Sequence, residues 1–309
     1  MNTFYAKVLS TNETSYDTNT LSVLTEDTLR DTATIQKPTT LRIDETIHLN
    51  NGDIYLFETK MITHNDKEQP LVKNYTHIND CDLSLNAQEE LMRIFYDFAP
   101  IDIEKVKASI ETYLVRVKNP TIKTILDDVY DRFTKPFYLY PAATKFHHAY
   151  IGGLAHHTET MLRVADGLLA VYDFLDQDLL IAGIILHDVM KTVELSNYKE
   201  PEYTKEGKLI GHITMGVKEI TKTAMKHNLY DTEERLLLEH IILSHHYYGN
   251  FGSPKKPNIP EALALHFIDN IDSKFAVLGE ALNAINKGEF TPSLPVLDRE
   301  RYYKAKMKK

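Results

Sequence analysis

The sequence from Gly152 to Asp269 holds a spaced series of residues of the kinds that bind divalent cations: His157, the doublet His187-Asp188, His212, the doublet His245-His246, and Asp269. Eleven of the fourteen histidines fall between His147 and His266, so they are concentrated rather than scattered. Imidazole nitrogen mixed with carboxylate oxygen is the donor set that divalent transition metals take. The chain has one cysteine, Cys81, which excludes a thiolate cage and an internal disulfide.

These residues are too far apart for one loop, so packed helices must bring them together. His157 begins an amphipathic pattern carrying Leu162, Ala165 and Leu169. The doublet His187-Asp188 closes the apolar run Leu179 to Leu186, where two polar side chains are costly to bury unless paired or coordinated. His212 follows Gly211 and opens another helical stretch. His245-His246 close a helix expected over Glu233 to Ser244, and Asp269 lies inside one expected from Glu261 to about Leu278. Asp231-Thr232-Glu233-Glu234 fits a capping box, and Pro260 suits a first helical turn.

The first 85 residues differ. Threonine is abundant, Asp53–Glu58 and Leu71–Tyr75 alternate in polarity, and Asn50-Asn51-Gly52 and His64-Asn65-Asp66-Lys67 read as turns. The pattern predicts a small β-barrel, an OB-fold among the candidates, over 1–85. Helical support follows over 86–140, and an all-α domain with a basic, aromatic tail over 141–309. The fold class is α+β with two domains. In the barrel region Tyr55, Phe57 and Tyr75 are either stacking platforms or core residues at strand spacing.

Hydrophobic residues at 43% and charged residues at 26% describe an ordinary globular protein. No run approaches the roughly 20 apolar residues of a membrane helix. The first residues lack the basic and apolar regions of a signal peptide, so the expected location is cytoplasmic. The net charge is −9, and residues 1–85 hold seven Lys or Arg against thirteen Asp or Glu. Any contact with nucleic acid must therefore be local, with metal ions supplying positive charge.

The spaced pattern His…His-Asp…His…His-His…Asp resembles the HD phosphohydrolase superfamily, in its form with ligands for two metals. The likeness extends to the YhaM-type 3′→5′ exoribonucleases, which pair an N-terminal OB-fold with an HD domain. It is carried by Tyr140–Lys145, His147-His148, Gly153–Ala155, Ala182–Asp188, Gly211–Ile213, Leu243–His246, Gly252–Pro254 and Ile268–Asp272.

The resemblance implies one metal held by His157, His187, Asp188 and Asp269, and a second by a bridging Asp188 with His212, His245 and His246. Mn²⁺ leads as the metal, with Fe²⁺ and Co²⁺ as alternatives. Asp188 and Lys191 would be catalytic, Lys191 as a positive donor toward a phosphate oxygen. His147, His148, Lys255, Lys256 and Asp272 are candidates for contact with substrate. The implied activity is removal of nucleoside monophosphates from the 3′ end of single-stranded RNA, with single-stranded DNA as a second substrate. The alternatives are hydrolysis of a small or cyclic nucleotide, and a non-catalytic nucleic-acid-binding protein; a homo-oligomer is left open. Met190 stands where the family usually has glycine, which would put a bulky thioether beside the phosphate site and narrow it. Tyr247 and Asn250 also depart from the family pattern.

Overall fold

In the computed structural model, residues 2–14, 17–26, 38–64, 66–144 and 148–307 are described. The chain divides into two compact units, Met1–Asp97 and Phe98–Lys309. In the first, strands β1 (Asn2–Asn12), β2 (Thr18–Thr25), β3 (Thr39–Asp44), β4 (Ile54–His64) and β5 (Lys67–His77) close into a barrel in the order β1-β2-β3-β5-β4. All pairings are antiparallel except β3 with β5. Period-two alternation turns Ala6 and Val8, Leu21 and Val23, and Leu41 and Ile43 inward, each fully buried. Closure leaves no long free edge, which suits a strand set this rich in threonine.

This is the OB-like barrel that the alternation predicts. Tyr55 and Phe57 belong to its core, and Tyr75 is exposed. The barrel is followed by α1 (Leu85–Phe95), whose N-cap Ser84 accepts from the Ala87 amide at 3.2 Å.

The second unit is helical: α2 (Ile103–Arg116), α3 (Pro120–Phe137), α4 (Gly153–Val171), α5 (Gln177–Leu186), α6 (Lys191–Glu194), α7 (Lys205–Leu209), α8 (His212–Lys226), α9 (Glu233–Ser244) and α10 (Pro260–Asn283). Helix α5 is apolar on every side and buried from Leu179 to Leu186. Such a helix can only be the axis of a bundle, and α2, α3, α4, α9 and α10 surround it.

Two expectations change. Helix α10 continues to Asn283, beyond Leu278. The capping box at α9 is not formed. Thr232 is the N-cap residue, but its hydroxyl donates to the Leu229 carbonyl at 2.7 Å and makes no cap bond. A short hydroxyl side chain that finds a nearby carbonyl is lost to the helix end.

Gly183 sets how closely α5, α9 and α10 approach. A Cβ there would lie 2.8 Å from Ile241 Cγ2 and 3.3 Å from Leu265 Cδ1. Since α5 and α9 both end in metal-type doublets, this approach also sets the spacing of the doublets. Gly183→Val is expected to destabilise the helical unit by about 1–3 kcal/mol through overpacking, read as a lowered denaturant midpoint. It should weaken divalent-metal binding at the same time. Unchanged metal affinity in a destabilised variant would separate the packing from the site.

Candidate metal centre

His157 lies in the first turns of α4, which begins after Gly152 in the left-handed region (φ 80°) and Gly153. A Cβ on Gly153 would overlap the His148 carbonyl oxygen, so only glycine allows the chain to enter α4 here. His187 and His245 cap the C-termini of α5 and α9, where helix carbonyls lack amide partners. Each ring uses one: His187 Nδ1 donates to Ile184 O and His245 Nδ1 to Ile242 O, both at 2.7 Å. His157 Nδ1 donates to Asp272 at 2.6 Å, and His212 Nδ1 lies 3.0 Å from Glu194 Oε2.

An acceptor oxygen on each of these Nδ1 atoms holds a ring proton there, which makes Nε2 the atom left to bind a metal, in His157 once its second proton is lost. Those Nε2 atoms converge. His187 Nε2 lies 3.3 Å from Asp188 Oδ2; His212 Nε2 and His245 Nε2 lie 3.3 and 3.9 Å from Asp188 Oδ1. His157 Nε2 lies 3.4 Å from Asp269 Oδ1. His187 Nε2, His212 Nε2, His245 Nε2 and Asp188 Oδ1 are buried and make no hydrogen bond.

Among the described residues three groups have ligand atoms within 4.8 Å of one another; His148, His157 and Asp272 are already joined by hydrogen bonds, which leaves His157, His187 and Asp269, and His212, His245 and His246. Asp188 stands between them. All seven sequence-derived ligand candidates are thus brought to one place. Electron pairs facing electron pairs in a buried site fit a cation and little else.

The electrostatics agree. Burial would raise the Asp188 carboxyl, but Lys191 and His187 hold it well below the usual carboxylate range. Burial, then His246 and His187, push His245 well below the ordinary histidine value, and burial also lowers His246. His157 is the exception: burial opposes its charge, yet Asp269 and Asp272 outweigh it and raise the ring to about 9.

The site opens into a cleft of about 530 Å³, walled in part by Thr144, Lys191, Tyr203, His212, His246 and Asp269. Lys191 Nζ donates to Asp188 Oδ2 at 2.6 Å and to Ala142 O at 2.7 Å. The remaining candidates fall elsewhere. Asp272 is buried behind His157, accepting from it and from His148 Nε2 at 2.8 Å. His148 is buried there too. Lys255 and Lys256 are exposed and do not line the cleft, Lys256 Nζ lying 5.0 Å from the centre of the Tyr247 ring. His147 lies outside the described residues.

Met190, expected to narrow the phosphate site, is instead packed into the hydrophobic core and absent from the cleft wall. Its backbone caps the short helix α6. Glu194 was not singled out in the sequence. It accepts from both the backbone amide and Nδ1 of His212, and the one available signal was a carboxylate in the mostly apolar run that follows Asp188.

A family model described as "HD domain" matches residues 154–274. The chain is 42% identical over 220 residues to the 3′-5′ exoribonuclease YhaM of Bacillus pumilus, which covers 71% of this chain and 70% of the relative. It is 43% identical over 210 residues to that of Bacillus licheniformis, covering 68% and 67%. The protein of that name from Bacillus subtilis is 42% identical over 210 residues, again covering 68% and 67%. No solved structure matches the chain.

Two expectations follow from the geometry. Asp272→Asn removes the charge behind His157 and should lower divalent-metal affinity about 10–100-fold, measured by calorimetry, with the helical circular dichroism intact; wild-type affinity would show that Asp272 does not orient His157. Because His157 titrates at about 9 without metal, it carries a proton at neutral pH that a cation must displace. Metal binding should therefore release a proton, and apparent affinity should rise with pH up to about 9. Calorimetry in buffers of different ionisation enthalpy reads this directly, and a buffer-independent enthalpy at neutral pH would contradict it.

Proposed function

We infer that this chain, which belongs to the YhaM family of HD-domain 3′-5′ exoribonucleases, is a metal-dependent phosphodiesterase. Its proposed reaction releases nucleoside monophosphates from the 3′ end of single-stranded RNA, with single-stranded DNA as a second substrate. The observation that carries this reading is the convergence of unpaired Nε2 atoms on Asp188 at the base of an open cleft.

On this reading His157, His187, Asp188 and Asp269 would hold one divalent cation, and Asp188, His212, His245 and His246 a second. Mn²⁺ leads because the donors are nitrogen and oxygen without thiolate; Fe²⁺ and Co²⁺ share that preference. Bound there, such ions supply Lewis acidity toward the phosphoryl oxygens and a water of lowered pKa.

The protein's own groups do the rest. Asp188 offers one oxygen to each ligand group. Lys191 spends two of its three N–H donors on Asp188 and Ala142, which leaves a third to meet a non-bridging phosphate oxygen at the cleft wall. Asp272 and Glu194 hold the His157 and His212 rings in the tautomer that presents Nε2, so Asp272 and His148 serve as positioning residues rather than substrate contacts. Lys255 and Lys256, outside the cleft, are left to the phosphates of the emerging strand. A single cysteine with no possible internal partner supports a cytoplasmic setting.

The test uses metal-stripped protein with Mn²⁺ restored, a 5′-labelled single-stranded oligoribonucleotide, and cyclic dinucleotides and nucleoside triphosphates in parallel. A ladder shortening from the 3′ end with release of monophosphates is expected. Turnover of a small nucleotide without any action on the oligomer would replace this reading with a nucleotide phosphohydrolase. Asp188→Ala should reduce cleavage to background and lower bound metal measured by mass spectrometry. Full activity in that variant would remove the two-metal site.

A further inference from the structure

Helix α10 carries Asp269 to the cleft and, at its other end, meets a hairpin of basic and aromatic residues. Its arms are joined by backbone bonds from Gly288 N to Lys304 O, Lys304 N to Glu289 O and Thr291 N to Tyr302 O, at 2.7 to 2.9 Å. Lys304 Nζ donates to the carbonyls of Leu282 and Ile285 at 2.6 and 2.8 Å, which closes the C-terminus of α10 and fixes the hairpin to it.

Phe290 and Tyr303 stand opposite each other across the two arms, ring centroids 5.1 Å apart, and they are 55% and 49% exposed. Arg301, two residues before Tyr303, is exposed and donates Nε to the Thr291 carbonyl at 3.0 Å, and the Lys306 side chain lies against Gly288. From residue 286 to 309 there are seven Lys or Arg against three Asp or Glu, in a chain whose net charge is −9. A cross-strand aromatic pair can serve packing alone. Here both rings keep about half their surface in solvent and sit in the basic segment of an acidic chain.

We propose that this hairpin is a stacking platform for single-stranded RNA, binding bases upstream of the 3′ end while Arg301 and Lys306 meet the phosphates. Aromatic faces interleaved with positive charge are what an unpaired strand recognises without regard to sequence. The proposal rests on the exonuclease reading for the direction of the strand. From Ser273 on the cleft wall to Asn283 at the end of α10 the α-helical rise gives about 15 Å, so a strand with its 3′ end in the cleft would reach the platform several nucleotides upstream. Along that stretch α10 exposes Phe275, and just before it Ile271. The positive excess favours a polyanion over a second copy of this acidic chain.

The experiment uses the full chain. Phe290→Leu with Tyr303→Leu keeps an apolar cross-strand contact but removes the aromatic faces; Arg301→Gln with Lys306→Gln removes two charges. Binding of a long labelled single strand is read by fluorescence anisotropy in an Asp188→Ala background, and KM on long and dinucleotide substrates is read in the active enzyme. The leucine pair should weaken long-strand binding about tenfold or more and leave dinucleotide turnover unchanged. The glutamine pair should flatten the dependence of log affinity on log salt by about 1.4.

Wild-type binding of the long strand by the leucine pair would overturn the proposal. So would an equal loss on the dinucleotide, which a merely structural role produces. A halved molecular mass by light scattering with RNA affinity intact would make the hairpin an interface between copies. If the wild type binds the strand through these residues without cleaving it, the nuclease reading falls and the platform stands.

Discussion

One buried carboxylate organises the helical unit. Asp188 is 3% exposed and sits among three imidazoles whose ring protons are all committed elsewhere. Burying a carboxylate costs several kcal/mol, and each buried polar atom left without a partner adds about 1–3 kcal/mol. Lys191 offsets part of this through Oδ2. Nothing among the described residues satisfies Oδ1 or the Nε2 atoms facing it. On the reading proposed above, the missing partner is the cation itself, so stability and metal affinity are two measures of one interaction.

The surrounding architecture can be understood as the means of holding that arrangement. The apolar helix α5 delivers His187-Asp188 at its end, and α9 delivers His245-His246 at its end. In both cases the first histidine finds its acceptor three residues back, in a carbonyl that helix termination leaves free. The negative end of each helix dipole points toward the site, which favours a cation there. His157 and His212, at helix beginnings, have no spare carbonyls nearby and use carboxylates instead, Asp272 and Glu194. Where a ligand sits on its helix thus decides which kind of group must orient it.

The same distinction explains what could be read from the sequence. The doublets were visible because two polar residues at the end of an apolar run have no cheap alternative. The barrel was visible because period-two alternation and turn residues coincide along β4 and β5. Glu194 was not, since a glutamate after a short buried stretch reads equally as a solvated helix end; only the fold puts His212, eighteen residues on, against it. Asp272, one turn after Asp269 on the same helix, was a candidate for substrate contact beside a candidate metal ligand. The packing of α4 against α10 separates them: Asp269 reaches the cleft wall and Asp272 is buried behind His157. Met190 shows the reverse error, because a residue two positions from a ligand candidate in sequence is packed into the hydrophobic core instead.

An acidic chain that handles a polyanion must concentrate its attraction. Net charge acts over a Debye length of about 8–10 Å in physiological salt, so charges on remote faces contribute little at the cleft, and local groups decide. Among the described residues of the cleft the carboxylates Asp188, Asp269 and Glu194 outnumber the one ammonium, Lys191. Without cations that wall repels phosphate; with two divalent ions in the proposed ligand groups its sign reverses. Phosphate recognition would then be conditional on metal loading in a way that a lysine-lined cleft could not achieve. The same conditionality predicts that a strand's first hold on the protein lies outside the cleft, where permanent positive charge is available.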